Sequence, residues 1–207
     1  MTNKLKISQI LDYLDEIYPN VACELNYQKD YELVIAVMLS AQTTDTSVNA
    51  VTAHLFLHYP TLESLANAKL EDIENEIHSI GLYKNKAKNI IGIAQTLIKK
   101  FNGVIPSDKD LLQELPGIGN KSAGVVRAEI FKIPDLPVDT HILRISKRFN
   151  LVNKDADPYE VEQKLKKLID EERWIKTHHQ LIHFGRYFCT AKKPACESCK
   201  LAHLCHK

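Results

Sequence analysis

The chain has 207 residues, 44% of them hydrophobic, with only 7 Gly and 8 Pro, which excludes a linker or low-complexity tail and allows one large domain or two small ones. A formal net charge of +1 excludes a uniformly polybasic or polyacidic chain. The charge is nevertheless uneven: residues 1–143 hold 13 Lys and Arg against 18 Asp and Glu, and residues 144–207 hold 14 against 8. The C-terminal third therefore suits a face that meets phosphates, although a chance excess of solvated lysines would read the same way.

At the N-terminus no apolar segment follows Lys4 and Lys6, so no secretory signal is predicted, and the longest apolar run, Leu33–Leu39, is far too short to span a bilayer. A soluble, intracellular protein is expected. Ile7, Ile10, Leu11, Leu14 and Ile17 recur at helical spacing. Asp45 is placed to cap a helix through Val48–Phe56, and Gly81 to close one running Leu70–Ile80. Ile90, Ile91, Ala94, Leu97, Ile98 and Phe101 mark the next helix. A loop then leads to Ser107, and either Ser107 or Asp108 caps the helix after it. Pro134 and Pro137 interrupt any helix between Phe131 and Val138, the clearest internal boundary. Beyond it, helical patterns run through Val138–Phe149, Tyr159–Ile169 and Trp174–Phe184, and alternating strand patterns of useful length are absent. The chain reads as all-α.

The most informative stretch is Leu111 to Val126, where Leu115-Pro116-Gly117-Ile118-Gly119-Asn120-Lys121 joins a short helix to a new one. Gly117 and Gly119 permit unusual dihedrals and close backbone approach. Amide N–H groups at the start of the second helix form a site for an anion such as a DNA phosphate. Lys121 falls in that helix's first turn, where a cation opposes the macrodipole. A free lysine, with a pKa of about 10.4, is almost wholly protonated at neutral pH; the positive helix end and an expected partial burial both disfavour the ammonium, as a nucleophilic amine requires. Asp139, in Val138-Asp139-Thr140-His141, reads as an N-cap or as a carboxylate that takes a proton or stabilises developing positive charge.

Cysteines are equally uneven. Cys23 stands alone and reads as a buried small hydrophobe, whereas Cys189, Cys196, Cys199 and Cys205 crowd the C-terminus. Their spacing suits a metal site, and the Cys-x2-Cys core does not choose between zinc and an iron–sulfur cluster. His203 and His206 are rival ligands by position only. His178, His179 and His183 read as helix-surface or core residues rather than a metal cluster.

The hairpin string, Val138-Asp139-Thr140-His141, Met38-Leu39-Ser40-Ala41-Gln42-Thr43-Thr44-Asp45, Ile80-Gly81-Leu82-Tyr83-Lys84-Asn85-Lys86-Ala87 and Gly185-Arg186-Tyr187 stand in one order. That order resembles the endonuclease III family of helix-hairpin-helix DNA glycosylases, from about residue 5 to the C-terminus. The resemblance implies a bifunctional glycosylase and abasic-site lyase acting on damaged double-stranded DNA, with oxidised or ring-saturated pyrimidines as substrates. By it Lys121 is the nucleophile at C1′, Asp139 the essential aspartate, and Gln42 and Leu82 the side chains that enter the duplex. The four C-terminal cysteines would hold a structural or DNA-orienting [4Fe–4S] cluster. That cluster would stiffen the loop carrying Lys192 and Lys193 for phosphate contact. Asn120 and Ala195 depart from the basic residues often found there.

The resemblance further implies two helical lobes with the active site between them. Residues 22–133 would form a six-helix barrel with the hairpin; 1–21 and 134–207 would form the cluster lobe. A monomer, cytoplasmic and associated with the nucleoid, is expected. Rival readings are a glycosylase of the same superfamily for alkylated or mismatched bases, and a non-enzymatic helix-hairpin-helix binding module. Against a mismatch adenine glycosylase, Ala36 stands where such enzymes carry glutamate.

Overall fold

The structure, a computed structural model, describes residues 2–205; His206, a rival ligand by position, lies outside them. Among the described residues every regular element is helical and none is strand. Among the described residues no helix is long and apolar enough to cross a membrane. The chain divides into two compact units, Glu24–Phe131 and Met1–Cys23 with Lys132–Lys207.

The first unit holds α2 (Asp30–Leu39), α3 (Asp45–His58), α4 (Leu62–Ala66), α5 (Leu70–Ile77), α6 (Tyr83–Phe101), α7 (Lys109–Gln113) and α8 (Asn120–Phe131). The apolar run Leu33–Leu39 is the body of α2 and is buried on every side, as a helix without a polar face must be. α3, α6 and α8 pack around it, and α4 and α5 pack on α6. Two local expectations change and one open alternative is resolved. Thr44, not Asp45, caps α3, its hydroxyl accepting the Ser47 N–H; the chain enters the helix one residue earlier, and Asp45 becomes its first residue. α5 ends at Ile77 rather than Ile80, and Gly81 does not adopt a positive φ; Leu82 does, at 60°. Of the two candidates before α7, Asp108 is the cap, accepting from the N–H groups of Asp110 and Leu111.

The second unit holds α1 (Asn3–Ile17), α9 (Thr140–Arg148), α10 (Pro158–Leu168) and α11 (Trp174–His183). Ile7, Ile10 and Leu14 of α1 meet Ile142 and Ile145 of α9, Val161 and Leu165 of α10 and Leu181 of α11 in one core. α9 starts at Thr140, not Val138, because Asp139 holds the extended backbone of a cap. α11 does not stop at Phe184 but loosens into a π-helical turn, Phe184–Phe188. That turn stacks Phe184 between Phe149 and Phe188, with centroid separations of 6.2 and 5.2 Å. Cys23 is half-buried rather than buried.

Two ionic clusters tie this unit together. The Lys166 ammonium reaches Asp135 at 2.5 Å and Glu162 at 2.6 Å, with both carboxylates buried. Burial alone would lower the lysine's pKa; the hydrogen bonds to Asp135 and Glu162 outweigh it and hold the pKa above its ordinary value. Asp15 of α1 accepts from Lys176 and Gln180 of α11 and from Arg173 just before it, at 2.7 to 2.9 Å. Burial raises its pKa, but these bonds prevail and bring it from 3.8 to about 2.

Removing the shared cation with Lys166→Met should destabilise the protein by about 3–5 kcal/mol, because two buried carboxylates lose their ammonium; urea unfolding at neutral pH measures this. The Asp15 bonds favour its ionised form, so their contribution is complete above about pH 4 and is lost as pH falls toward about 2. Acid unfolding of Asp15→Asn should therefore lack part of the wild-type stability loss in that window.

Candidate active site and cluster pocket

In the first unit α7 ends at Gln113, and the chain turns through Glu114–Gly119 into α8. Leu115 and Ile118 are buried, anchoring the turn, and the Ile118 N–H donates to the Leu115 carbonyl. The two glycines differ. Gly117 has φ +80°, and a Cβ there would lie 2.5 Å from Asn89 Nδ2 and 2.9 Å from Met38 Cγ, so both conformation and space demand glycine. Gly119 has no positive φ, and nothing lies within 4 Å of a Cβ placed on it; its expected unusual dihedral is not found, and its open side is free for an incoming group. Pro116 seats on α6, a Cβ on Gly92 lying 3.0 Å from Pro116 Cγ.

Lys121 is the second residue of α8, where no acidic side chain occupies the first turn. It is exposed rather than partly buried, because the first turn of α8 projects beyond the packing formed by Ala123 and Val126. Gln42 lies in the α2–α3 loop and Leu82 just ahead of α6. Both are exposed, and both hold left-handed backbone, at φ 55° and 60°. Leu82, at 58% exposure, is thus not the buried helix-end contact its position after Gly81 suggests.

In the second unit Asp139 caps α9, Oδ1 accepting the Ile142 N–H at 2.8 Å. This leaves the half-buried carboxylate held by a fixed helix end. Burial pushes the His141 pKa down, Asp139 opposing and Arg144 and Arg186 adding to the fall, so the imidazole is neutral at pH 7. A Cβ on Gly185 would sit 2.7 Å from His141 Cβ; the missing side chain lets the π turn lie against α9. Arg144 then donates to the carbonyls of Gly185, at 2.8 Å, and Cys189, at 3.2 Å. Arg148 donates to the carbonyls of Cys189, Thr190 and Ala191 and to Cys189 Sγ at 3.1 Å. Neither arginine is singled out by spacing, since their acceptors lie about 40 residues away in sequence. The loop that carries the exposed Lys192 and Lys193 is thus clamped by protein hydrogen bonds as well as by whatever its cysteines hold.

Cys189, Cys196, Cys199 and Cys205 line one cavity of about 120 Å³, walled by Phe149, Phe184 and Phe188. Among the described residues no three His, Cys, Asp or Glu side chains converge tightly enough to hold a single ion. A structural zinc needs four sulfurs about 2.3 Å from one point. Thiols spread over the wall of a cavity this size instead fit a multi-atom iron–sulfur group. His203 takes no part in the lining; its ring contacts the Lys200 carbonyl. His178 and His179 are buried against each other, and His183 packs between Tyr18 and Tyr187.

Residues 35–171 match the model of the HhH-GPD superfamily base excision DNA repair proteins, and residues 189–205 match the iron–sulfur binding domain of endonuclease III. The chain is 43% identical to endonuclease III of Bacillus subtilis (strain 168) over 207 residues, covering all of this chain and 94% of the relative. It is 42% identical to endonuclease III of Escherichia coli (strain K12) over 204 residues, covering 98% and 96%. A solved structure of a trapped endonuclease III–DNA covalent intermediate, an estranged-adenine complex, aligns at a TM-score of 0.96 and 47% identity, over all of this chain and 97% of that one. A thermostable thymine-DNA glycosylase, at 22% identity and a TM-score of 0.83, shares the fold. With its hairpin seated on Met38 and Asn89 and four cysteines around one cavity, the chain belongs to the endonuclease III family of base excision DNA repair proteins.

Proposed function

We propose that the protein is a bifunctional DNA glycosylase and abasic-site lyase that removes oxidised or ring-saturated pyrimidines from duplex DNA. The observation that carries this reading is the exposed Lys121 amine in the first turn of α8, directly behind a hairpin whose backbone is locked by Gly117. The N–H groups at Gly119 and the start of α8 bind a phosphate of the damaged strand, which holds that strand against the amine. The uncharged Nζ gives its lone pair to C1′, and the glycosidic bond breaks with its electrons leaving on the base. Loss of the amine proton and opening of the sugar ring, with the C1′–O4′ pair passing to oxygen, leave an imine. That imine makes the C2′ proton acidic; its removal expels the 3′ phosphate oxygen and cuts the strand.

Asp139 stabilises positive charge developing on the sugar and takes up a proton, its Oδ1 fixed by the Ile142 N–H. Gln42 and Leu82 enter the duplex, Leu82 wedging the opposite strand, which offsets part of the stacking lost when the base is extruded. Cys189, Cys196, Cys199 and Cys205 would hold the [4Fe–4S] cluster, which when bound cross-links the C-terminal loop and takes no part in base removal. Lys192 and Lys193 contact phosphates from that loop. We assign the hairpin-bearing barrel to residues 22–133 and the cluster domain to 1–21 with 134–207, in a cytoplasmic, nucleoid-associated monomer.

Incision of duplexes containing an oxidised pyrimidine or an abasic site tests the chemistry. Lys121→Ala should abolish cleavage and borohydride trapping while keeping lesion binding, and Asp139→Asn should slow base removal by about two to four orders of magnitude. Undiminished cleavage by Lys121→Ala overturns the assignment. The glycines separate folding from phosphate binding. Gly117→Ala should cost about 2–4 kcal/mol of stability from left-handed backbone and overlap with Asn89. Gly119→Ala should melt like wild type yet bind duplex DNA more weakly.

A further inference from the structure

Lys86, one turn into α6, is 4% exposed. Its ammonium donates to the Leu39 carbonyl at 2.9 Å and to Thr43 Oγ1 at 2.7 Å. Both acceptors are neutral, and burial, with no acid opposing it, pushes the amine's pKa down. A buried cation held by neutral groups is expensive, so its position needs an explanation other than ion pairing. The Leu39 carbonyl is among the last of α2, where the helix dipole is negative and carbonyls lack intrahelical partners. Thr43 lies immediately after Gln42. The Lys86 backbone N–H, for its part, donates to the Leu82 carbonyl at 3.0 Å. One residue therefore reaches two exposed left-handed segments of this unit, the Gln42 loop through side-chain bonds to the flanking Leu39 and Thr43, and Leu82 through the main-chain bond that opens α6.

The same face of α6 continues the pattern. Asn89, three residues on, touches Met38 and would be struck by a Cβ on Gly117; Gly92, three further, receives Pro116. Residues three apart on a helix share a face, so α6 carries the α2–α3 loop, the Leu82 tip and the hairpin turn on one rigid edge. Lys86 is the polar member of that edge and the one that reaches the C-terminal end of α2.

We infer that Lys86 is a positioning residue that fixes the spacing of the Gln42 and Leu82 tips, so that the two enter a duplex as one unit. This rests on the reading that both tips enter DNA. It goes beyond that reading in making lesion recognition depend on a buried side chain that touches no nucleotide.

The test uses the cluster-loaded protein and duplexes carrying a tetrahydrofuran abasic analogue, which cannot be cleaved, with 2-aminopurine opposite it. Lys86→Met, which keeps length and removes the charge, should reduce the preference for the abasic duplex over undamaged DNA by about tenfold. The 2-aminopurine signal should fall with it, while affinity for undamaged duplex stays unchanged. In wild type, the effects of Gln42→Ala and Leu82→Ala should be less than additive; in the Lys86→Met background they should become additive. Thr43→Val, which removes one acceptor, should act in the same direction more weakly, and it serves if Lys86→Met fails to fold. A folded Lys86→Met with wild-type preference and unchanged coupling, or an unfolded one with Thr43→Val unchanged in both, overturns the proposal. If Gln42→Ala and Leu82→Ala alone leave preference and fluorescence untouched, the insertion reading itself falls, whatever Lys86 does.

Discussion

The contact between Gly117 and the pair Asn89 and Met38 is the constraint on which the hairpin unit depends. A backbone atom there packs where any side chain would collide, so the turn is pinned to two helices at once. Because interiors are close-packed, such a contact admits almost no slack. It sets where α8 begins, and hence where its free N–H groups and Lys121 emerge. α2 can serve as the other half of the seat because it is apolar around its whole circumference and is held from every side. The rigid part of this unit is deeply buried, and the groups with chemical potential project from it.

The cluster unit solves a parallel problem differently. Among the described residues its C-terminal segment has little regular structure after the π turn, only 3-10 turns, and does not order itself through helix packing. Arg144 and Arg148 supply the order from α9, satisfying carbonyls of Gly185, Cys189, Thr190 and Ala191. Guanidinium groups suit this task because several fixed donors can meet several carbonyls at once. Asp139 caps this same nine-residue helix, so the carboxylate sits at its start while Arg144 and Arg148 further along it hold the first cysteine.

Strain is concentrated where the surface projects. Gln42 and Leu82 hold a left-handed conformation that non-glycine residues adopt at a cost, and neither gains burial in return. Such strain persists only when its surroundings impose it. Beside both tips the packed neighbour is α6, whose Lys86 bonds Leu39 and Thr43 on either side of Gln42 through its side chain and Leu82 through its backbone N–H. Leu82 as a left-handed residue ahead of a helix also explains why Gly81 need not be flexible: the turn's strain lies one residue later.

The sequence alone was enough to establish the helical class, the long helices and the family, because periodicity, prolines and ordered motifs are local signals that survive without knowledge of neighbours. It also singled out the turn at Gly117 and the four C-terminal cysteines. Cysteine spacing alone left zinc and an iron–sulfur group open, since spacing says nothing of how far apart thiols stand in space; the family resemblance chose the [4Fe–4S] cluster, and the match of residues 189–205 to the iron–sulfur binding domain of endonuclease III and the cavity the four cysteines line agree with it. Helix bounds shifted by one to three residues, at Asp45, Ile80 and Val138, although the Asp139 cap stands as read, because several neighbours have capping chemistry and tertiary packing selects among them. The partial burial expected of Lys121 was wrong for the same kind of reason: exposure depends on what the rest of the chain covers, and nothing in the helix's own composition reveals it. Lys86, Asn89, Gly92, Arg144 and Arg148 act through partners up to about fifty residues away. Pairings at that distance are created by the fold and leave no periodic trace in the chain.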